Sequence, residues 1–146
     1  MVRKRWTGGN MANEMKIQIR QTSDSGSEAE IRRHRVPVDR PEAKGGHDAG
    51  PMGGELFLTA IGGCFSSTLL AAIKARGADI SSLQVEVTGT LVDSPTRFAT
   101  VELLVSANYA EREQFEKLVE IAEKGCIIVN TLKDKLELAV RIGAAV

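Results

Sequence analysis

Only two of the 146 residues are cysteine, Cys64 and Cys126. That scarcity excludes a disulfide-rich secreted scaffold. The two stand far apart and form no CxxC pair, so neither a thioredoxin motif nor a zinc knuckle is present. Net charge is also missing: Lys and Arg total 19, and so do Asp and Glu. A balanced chain is a poor candidate for gripping nucleic acid through its phosphates, although a local basic patch stays open. There is no GxSxG elbow, no Walker-type loop and no GxGxxG. Their absence removes the usual signatures of serine hydrolases, nucleotide triphosphatases and dinucleotide-binding enzymes. Residues 1–5 (MVRKR) are basic, but polar TGGN follows where a secretory signal needs an apolar stretch. The reducing cytoplasm is therefore the expected compartment.

Hydrophobic residues make up 42% and charged residues 26%. That balance can build a core, and 146 residues suffice for one ordinary domain. We expect a flexible tail over residues 1–13 and a single domain over 14–146. Residues 56–73 carry no charge. As a helix they would span about 27 Å, slightly short of a hydrocarbon core. They also hold Thr59, Ser66, Ser67, Thr68 and the pair Gly62-Gly63. The expectation is a helix buried on most sides in a soluble protein, with no membrane partner.

Around that helix the pattern changes period. Residues 15–21 (MKIQIRQ) alternate apolar and polar, as a strand does. SDSGS at 23–27 is a turn, and residues 29–38 resume as a second strand that Pro37 demotes to an edge. A Gly- and Pro-rich loop fills 39–54. The helix runs from about 52 to 76, with Gly77 as its cap. Residues 83–92 and 98–109 form a hairpin, 111–124 an amphipathic helix, 126–135 a shorter helix, and 136–142 (LELAVRI) a last strand. The predicted order β-β-α-β-β-α-α-β indicates an α+β fold with a mostly antiparallel sheet. A helix apolar on nearly every face needs a second covering layer. A symmetric dimer would supply it, and Gly62-Gly63 would permit close backbone approach.

Cys64 falls in the middle of the apolar helix, whereas Cys126 follows a helix stop at Gly125 and opens the next helix. Unpaired amides at such a start stabilise a thiolate. Free cysteine is nonetheless often plain core. A zinc set of His34, His47, Cys64 and Cys126 has acceptable ligand types without the usual short spacing. The Arg cluster at 32, 33, 35 and 40 reads as a solvated strand face or as the donor of one guanidinium.

GPMGGELFLTAIGGCF (50–65), followed by TLLAAIKARG (68–77), resembles the central helix of the OsmC/Ohr family, the osmotically inducible and organic hydroperoxide resistance proteins. Gly125-Cys126-Ile127-Ile128-Val129-Asn130-Thr131-Leu132 resembles that family's second landmark, and the likeness covers roughly 15–143. The resemblance implies an OsmC-like fold, with the sheet packed on a long central helix. It implies a thiol-dependent peroxidase built as an intertwined homodimer, without metal or cofactor. In that scheme Cys64 is peroxidatic and Cys126 resolving, the substrate is an organic hydroperoxide, and an external dithiol restores the thiols. Leu56, Phe57, Ile61, Phe65 and Phe98 are its candidate apolar contacts, or else ordinary core. The family supports its thiolate with an Arg held by a Glu. The matching Glu position is Gly54 here, and Glu55 lies one residue on, a rotation of about 100°. For the cation Arg40 and Arg20 are the candidates, with Lys44 at the spacing of one branch. The alternative is a non-catalytic homologue binding a small apolar or thiol ligand at its dimer interface.

Overall fold

The computed structural model describes residues 14–134 and 138–144. The expected tail at 1–13 lies outside the described residues. The chain forms two compact units, one ending at Gly53 and one starting at Gly54.

The first unit is a three-stranded antiparallel sheet in the order β1-β2-β3, with β1 at Gln18–Gln21, β2 at Ser27–Ile31 and β3 at His34–Val38. Residues 29–38 thus hold a tight turn between two strands where one strand was expected. The reason is local: Arg32 takes a left-handed φ of 56°, which reverses the chain and pairs Ile31 with His34. Pro37 sits on β3, an edge strand, where its missing N–H costs no ladder bond. The loop after β3 is fastened by one buried carboxylate. Asp39 accepts hydrogen bonds from the backbone amides of Arg40 (2.7 Å), His47 (3.1 Å) and Ala49 (3.2 Å). These bonds hold its pKa down at about 2, the Arg40 amide contributing most. The imidazole of His47 meets Asp24 at 2.7 Å, which ties the loop to the β1–β2 turn.

The second unit contains α1 (Gly53–Arg76), β4 (Ile80–Val92), β5 (Arg97–Tyr109), α2 (Arg112–Gly125) and α3 (Ile127–Lys133). Strands β4 and β5 make a long antiparallel hairpin. Val85, Leu103, Val105 and Ala107 face inward, while Glu86, Glu102 and Leu104 face out, as the pleat requires. Helix α1 buries a ridge of every fourth residue, Ile61, Phe65, Leu69 and Ile73. Phe65, Leu69 and Ile73 pack against Phe115, Leu118 and Ala122 of α2. Those three follow the three-and-four spacing of an amphipathic helix, whose outer face carries the pairs Arg112–Glu116 and Glu113–Lys117. Truncating Leu69 or Leu118 would cost about 2–5 kcal/mol, since each is almost wholly enclosed.

Two glycines have specific work here. Gly77 adopts φ 55° and closes α1 with bonds from its own amide to Lys74 and from Ala78 to Ile73, a left-handed cap. Gly62 lies against β4, where an added Cβ would stand 2.6 Å from a methyl of Val87. Gly63, next along, faces open space.

The fold is α+β with antiparallel sheets, but two further expectations change besides the strand at 29–38. Within one chain α1 is covered along a single stripe instead of on most sides, and Leu70 is 53% exposed. Among the described residues it is the one helix long and apolar enough to cross a membrane by length and composition alone. The expected last strand is not formed over 138–142, where Leu138, Val140 and Ile142 are exposed with no strand beside them. Its alternating pattern is real, but a strand needs an edge to pair with; residues 136 and 137 lie outside the described residues. The observed order among described elements is β-β-β-α-β-β-α-α.

Candidate active site

Cys64 and Cys126 come together. Their sulfurs stand 3.3 Å apart, with the Cys126 thiol donating to the Cys64 sulfur, and both are free. The route to this contact is local. Cys126 is at once the residue after α2 and the residue before α3, so its extended backbone (φ −78°, ψ 118°) makes a corner between two helices. The corner directs its side chain into the core, where it is fully buried. Asn130 braces this corner, its side-chain amide donating to the Lys124 carbonyl at 3.0 Å. At Gly125 an added Cβ would come within 3.3 Å of the Thr68 methyl, so α1 runs close to the corner. Thr68 returns its hydroxyl to the Cys64 carbonyl at 2.9 Å, which keeps it out of the way of the sulfur.

The two thiols are electrostatically unlike. Cys64 is half-buried, and its pKa is lowered. The backbone N–H of Ile128 is the largest cause; the Cys126 thiol and the Ile127 N–H add to it, against an opposing push from burial. Cys126 moves the other way: burial raises its pKa, and the neighbouring Cys64 reinforces the rise. The amides at the start of α3 were expected to serve Cys126, the residue that opens that helix. They serve both sulfurs: Ile128 and Ile127 lower Cys64, while Val129 and Ile128 also act on Cys126, where the larger push of burial outweighs them. Ile127, Ile128 and Asn130 were read as parts of a landmark without a role. Their position just past a helix stop was the available signal.

The other sequence candidates are distributed as follows. Arg20 lies on β1, bonded to Glu30 (3.2 Å) and Gln18 (2.9 Å). Arg40 lies in the loop that Asp39 fastens, and Lys44 places its ammonium 3.9 Å from the Met52 sulfur. All three belong to the first unit, whereas both cysteines belong to the second. Glu55 occupies the first turn of α1. Phe57 and Phe98 stack at 5.6 Å between ring centres. Together with Ile61 and Phe65 they line a cavity of about 570 Å³ between α1, β5, α2 and α3. Leu56 is half-buried and does not line it. Neither sulfur is part of the cavity wall, although Phe65 and Val129 are. His34 is exposed on β3 and His47 meets Asp24, and among the described residues no group of three or more His, Cys, Asp or Glu could hold a metal ion.

Comparison with known proteins places the fold. Among curated proteins no match is found. An OsmC-like protein from Mycoplasma pneumoniae superposes with a TM-score of 0.73 at 20% identity, over 84% of this chain and 89% of the other. An organic hydroperoxide resistance protein from Elizabethkingia anophelis, crystallised with thiocyanate bound, gives 0.64 at 20% identity, over 84% and 91%. The organic hydroperoxide resistance protein OsmC from Legionella pneumophila gives 0.58 at 16% identity, over 84% and 92%. At these identities the likeness is one of fold. The sequence profile described as OsmC-like protein matches residues 45–141, more than half of the chain and a stretch that contains both cysteines, and the chain therefore belongs to the OsmC-like protein family.

Proposed function

We propose that this protein is a thiol peroxidase that reduces organic hydroperoxides in defence against oxidative stress. The observation that carries the reading is the pair of sulfurs 3.3 Å apart with opposite pKa shifts. A peroxidase of this kind needs one thiolate and one thiol in contact. Cys64, whose ionised form the amides favour, is the nucleophile. It attacks the O–O bond, takes one oxygen as a sulfenic acid and, with one proton taken up, releases the alcohol. Cys126, protonated at rest by burial, gives up its proton to the departing hydroxyl as it attacks the Cys64 sulfur. The hydroxyl leaves as water and the disulfide forms. An external dithiol reduces that disulfide by exchange and leaves as its own disulfide.

The remaining assignments follow from the same reading. Phe57, Ile61, Phe65 and Phe98 receive the organic part of the peroxide, with Leu56 beside them. Arg40 or Arg20 supplies the cationic partner, and Glu55 its carboxylate. A second copy of the chain covers the exposed face of α1, where Leu70 is uncovered and Gly63 leaves room. Two free thiols suit the reducing cytoplasm. Under this reading the purified protein consumes cumene hydroperoxide in the presence of a dithiol, and Cys64→Ser consumes none. Equal rates from the wild type and Cys64→Ser would overturn it.

A further inference from the structure

The cavity that this reading gives to the organic part of the substrate is apolar in its wall and charged at one place. Ile61, Phe65, Val101, Leu103, Val119 and Val129 supply apolar wall. Its volume, about 570 Å³, lies within the range of small-molecule sites. Glu102 also borders it, but Glu102 shares the outward phase of β5 with Leu104, so its side chain points away. The charged groups left at the cavity are Lys133, at the end of α3, and Glu123, near the end of α2, which form an ion pair. Both side chains keep at least half of their exposure, 61% and 50%. An ion pair so wet is worth little, and a competing carboxylate can replace one partner.

We infer that Lys133 is a specificity-determining residue: it favours hydroperoxides whose organic part carries a carboxylate away from the peroxide, and Glu123 is the built-in competitor that this carboxylate displaces. The inference rests on the peroxidase reading. The apolar wall takes the chain of such a substrate, while the ammonium, a flexible point charge, meets its anionic end. Displacement leaves Glu123 in water, where its exposure lets it remain charged at small cost. Among the described residues Lys133 is the one cationic side chain on this wall, so charge discrimination is concentrated in it and opposed by Glu123.

The test compares kcat/KM for a hydroperoxide of an unsaturated fatty acid with that for its methyl ester, with cumene hydroperoxide as a third, neutral substrate. Lys133→Gln should lower the acid-to-ester ratio roughly five-fold. Glu123→Gln should raise it by a similar factor, because the ammonium loses its competitor. Cumene hydroperoxide, which carries no carboxylate, should change less than the acid in both variants, and both alter side chains that are at least half exposed. A ratio that stays constant across the three proteins would overturn the inference while leaving the peroxidase reading intact. Equal changes toward all three substrates would also overturn it, by showing a structural role. If the wild type turns over none of the substrates, the peroxidase reading itself fails, and the inference falls with it.

Discussion

Two regions of this protein hold an acidic group with backbone amides, and they differ in what the group is left able to do. In the first unit the Asp39 carboxylate collects three amides and is almost wholly buried. Both of its oxygens accept amides, its pKa sits at about 2, and it fastens a loop. In the second unit the Cys64 sulfur collects the amides of Ile127 and Ile128 and the thiol of Cys126, yet stays half-buried. Its ionised form is favoured, it is not fully enclosed, and a second sulfur stands beside it, the pair that the proposed peroxidase chemistry would oxidise together. The same donors make a structural anchor when the acceptor is a hard, enclosed carboxylate. In the proposed reading they make a reactive group when the acceptor is soft, partly open and beside a second sulfur.

The comparison predicts opposite responses to removing each acid. Cys64→Ser should abolish peroxide consumption while shifting the melting temperature little. Asp39→Asn should do the reverse, lowering melting by several degrees because three amides lose a charged acceptor, with the reactivity of the Cys64 thiol unchanged. If Asp39→Asn also silenced the thiol, the separation of roles would break. Next in size is Cys126→Ser. It should still reduce one equivalent of peroxide and then stop at a Cys64 sulfenic acid that dimedone traps, with no disulfide formed. Continued turnover in that variant would assign resolution to another thiol.

Acidity sharpens the contrast further. The lowered Cys64 pKa places its thiolate below the ordinary thiol range, whereas the raised Cys126 pKa keeps that thiol protonated. Iodoacetamide labelling followed by peptide mass analysis should show Cys64 reacting at lower pH than Cys126, with the Cys64 rate rising through its lowered pKa. Reversed order would contradict the assignment of nucleophile. Asp39 has a folded pKa below its unfolded value of about 3.9. Its contribution to stability is therefore present above that value and is lost as pH falls toward about 2. Urea midpoints measured across this acid range should fall less steeply in Asp39→Asn. The smallest effect belongs to the exposed pair His47–Asp24. The raised His47 pKa means its contribution is full below the unfolded value and is lost as pH rises through the folded one. In His47→Gln the mild loss of stability between slightly acid and slightly alkaline pH should disappear.

Much of this arrangement was legible in the residues. The charge-free run at 56–73 marked α1, the alternation of 83–92 and 98–109 marked the hairpin, and the spacing of Phe115, Leu118 and Ala122 marked α2. These are periodic signals, and periodicity is what burial writes into a chain. The turn at Arg32 escaped because it depends on a non-glycine residue adopting a left-handed φ, which no composition rule announces. The segment 138–142 has a strand's alternation without a strand's pairing, and pairing is a property of the edge it meets. At the candidate site the types and positions of both cysteines were visible. That the α3 amides would reach both sulfurs, and that burial would outweigh them only at Cys126, was not, since both follow from the corner at Cys126. The Lys133–Glu123 pair was equally hidden, for it joins two helix ends across a cavity.

The account stands on Cys64 and Cys126 acting as one redox couple. The most direct measurement treats the reduced protein with one equivalent of cumene hydroperoxide, alkylates remaining thiols, and maps the peptides by mass without reduction. The account predicts a single linked peptide pair joining Cys64 to Cys126 and no alkylated cysteine. Recovery of both cysteines alkylated, with the peroxide unconsumed, would contradict it.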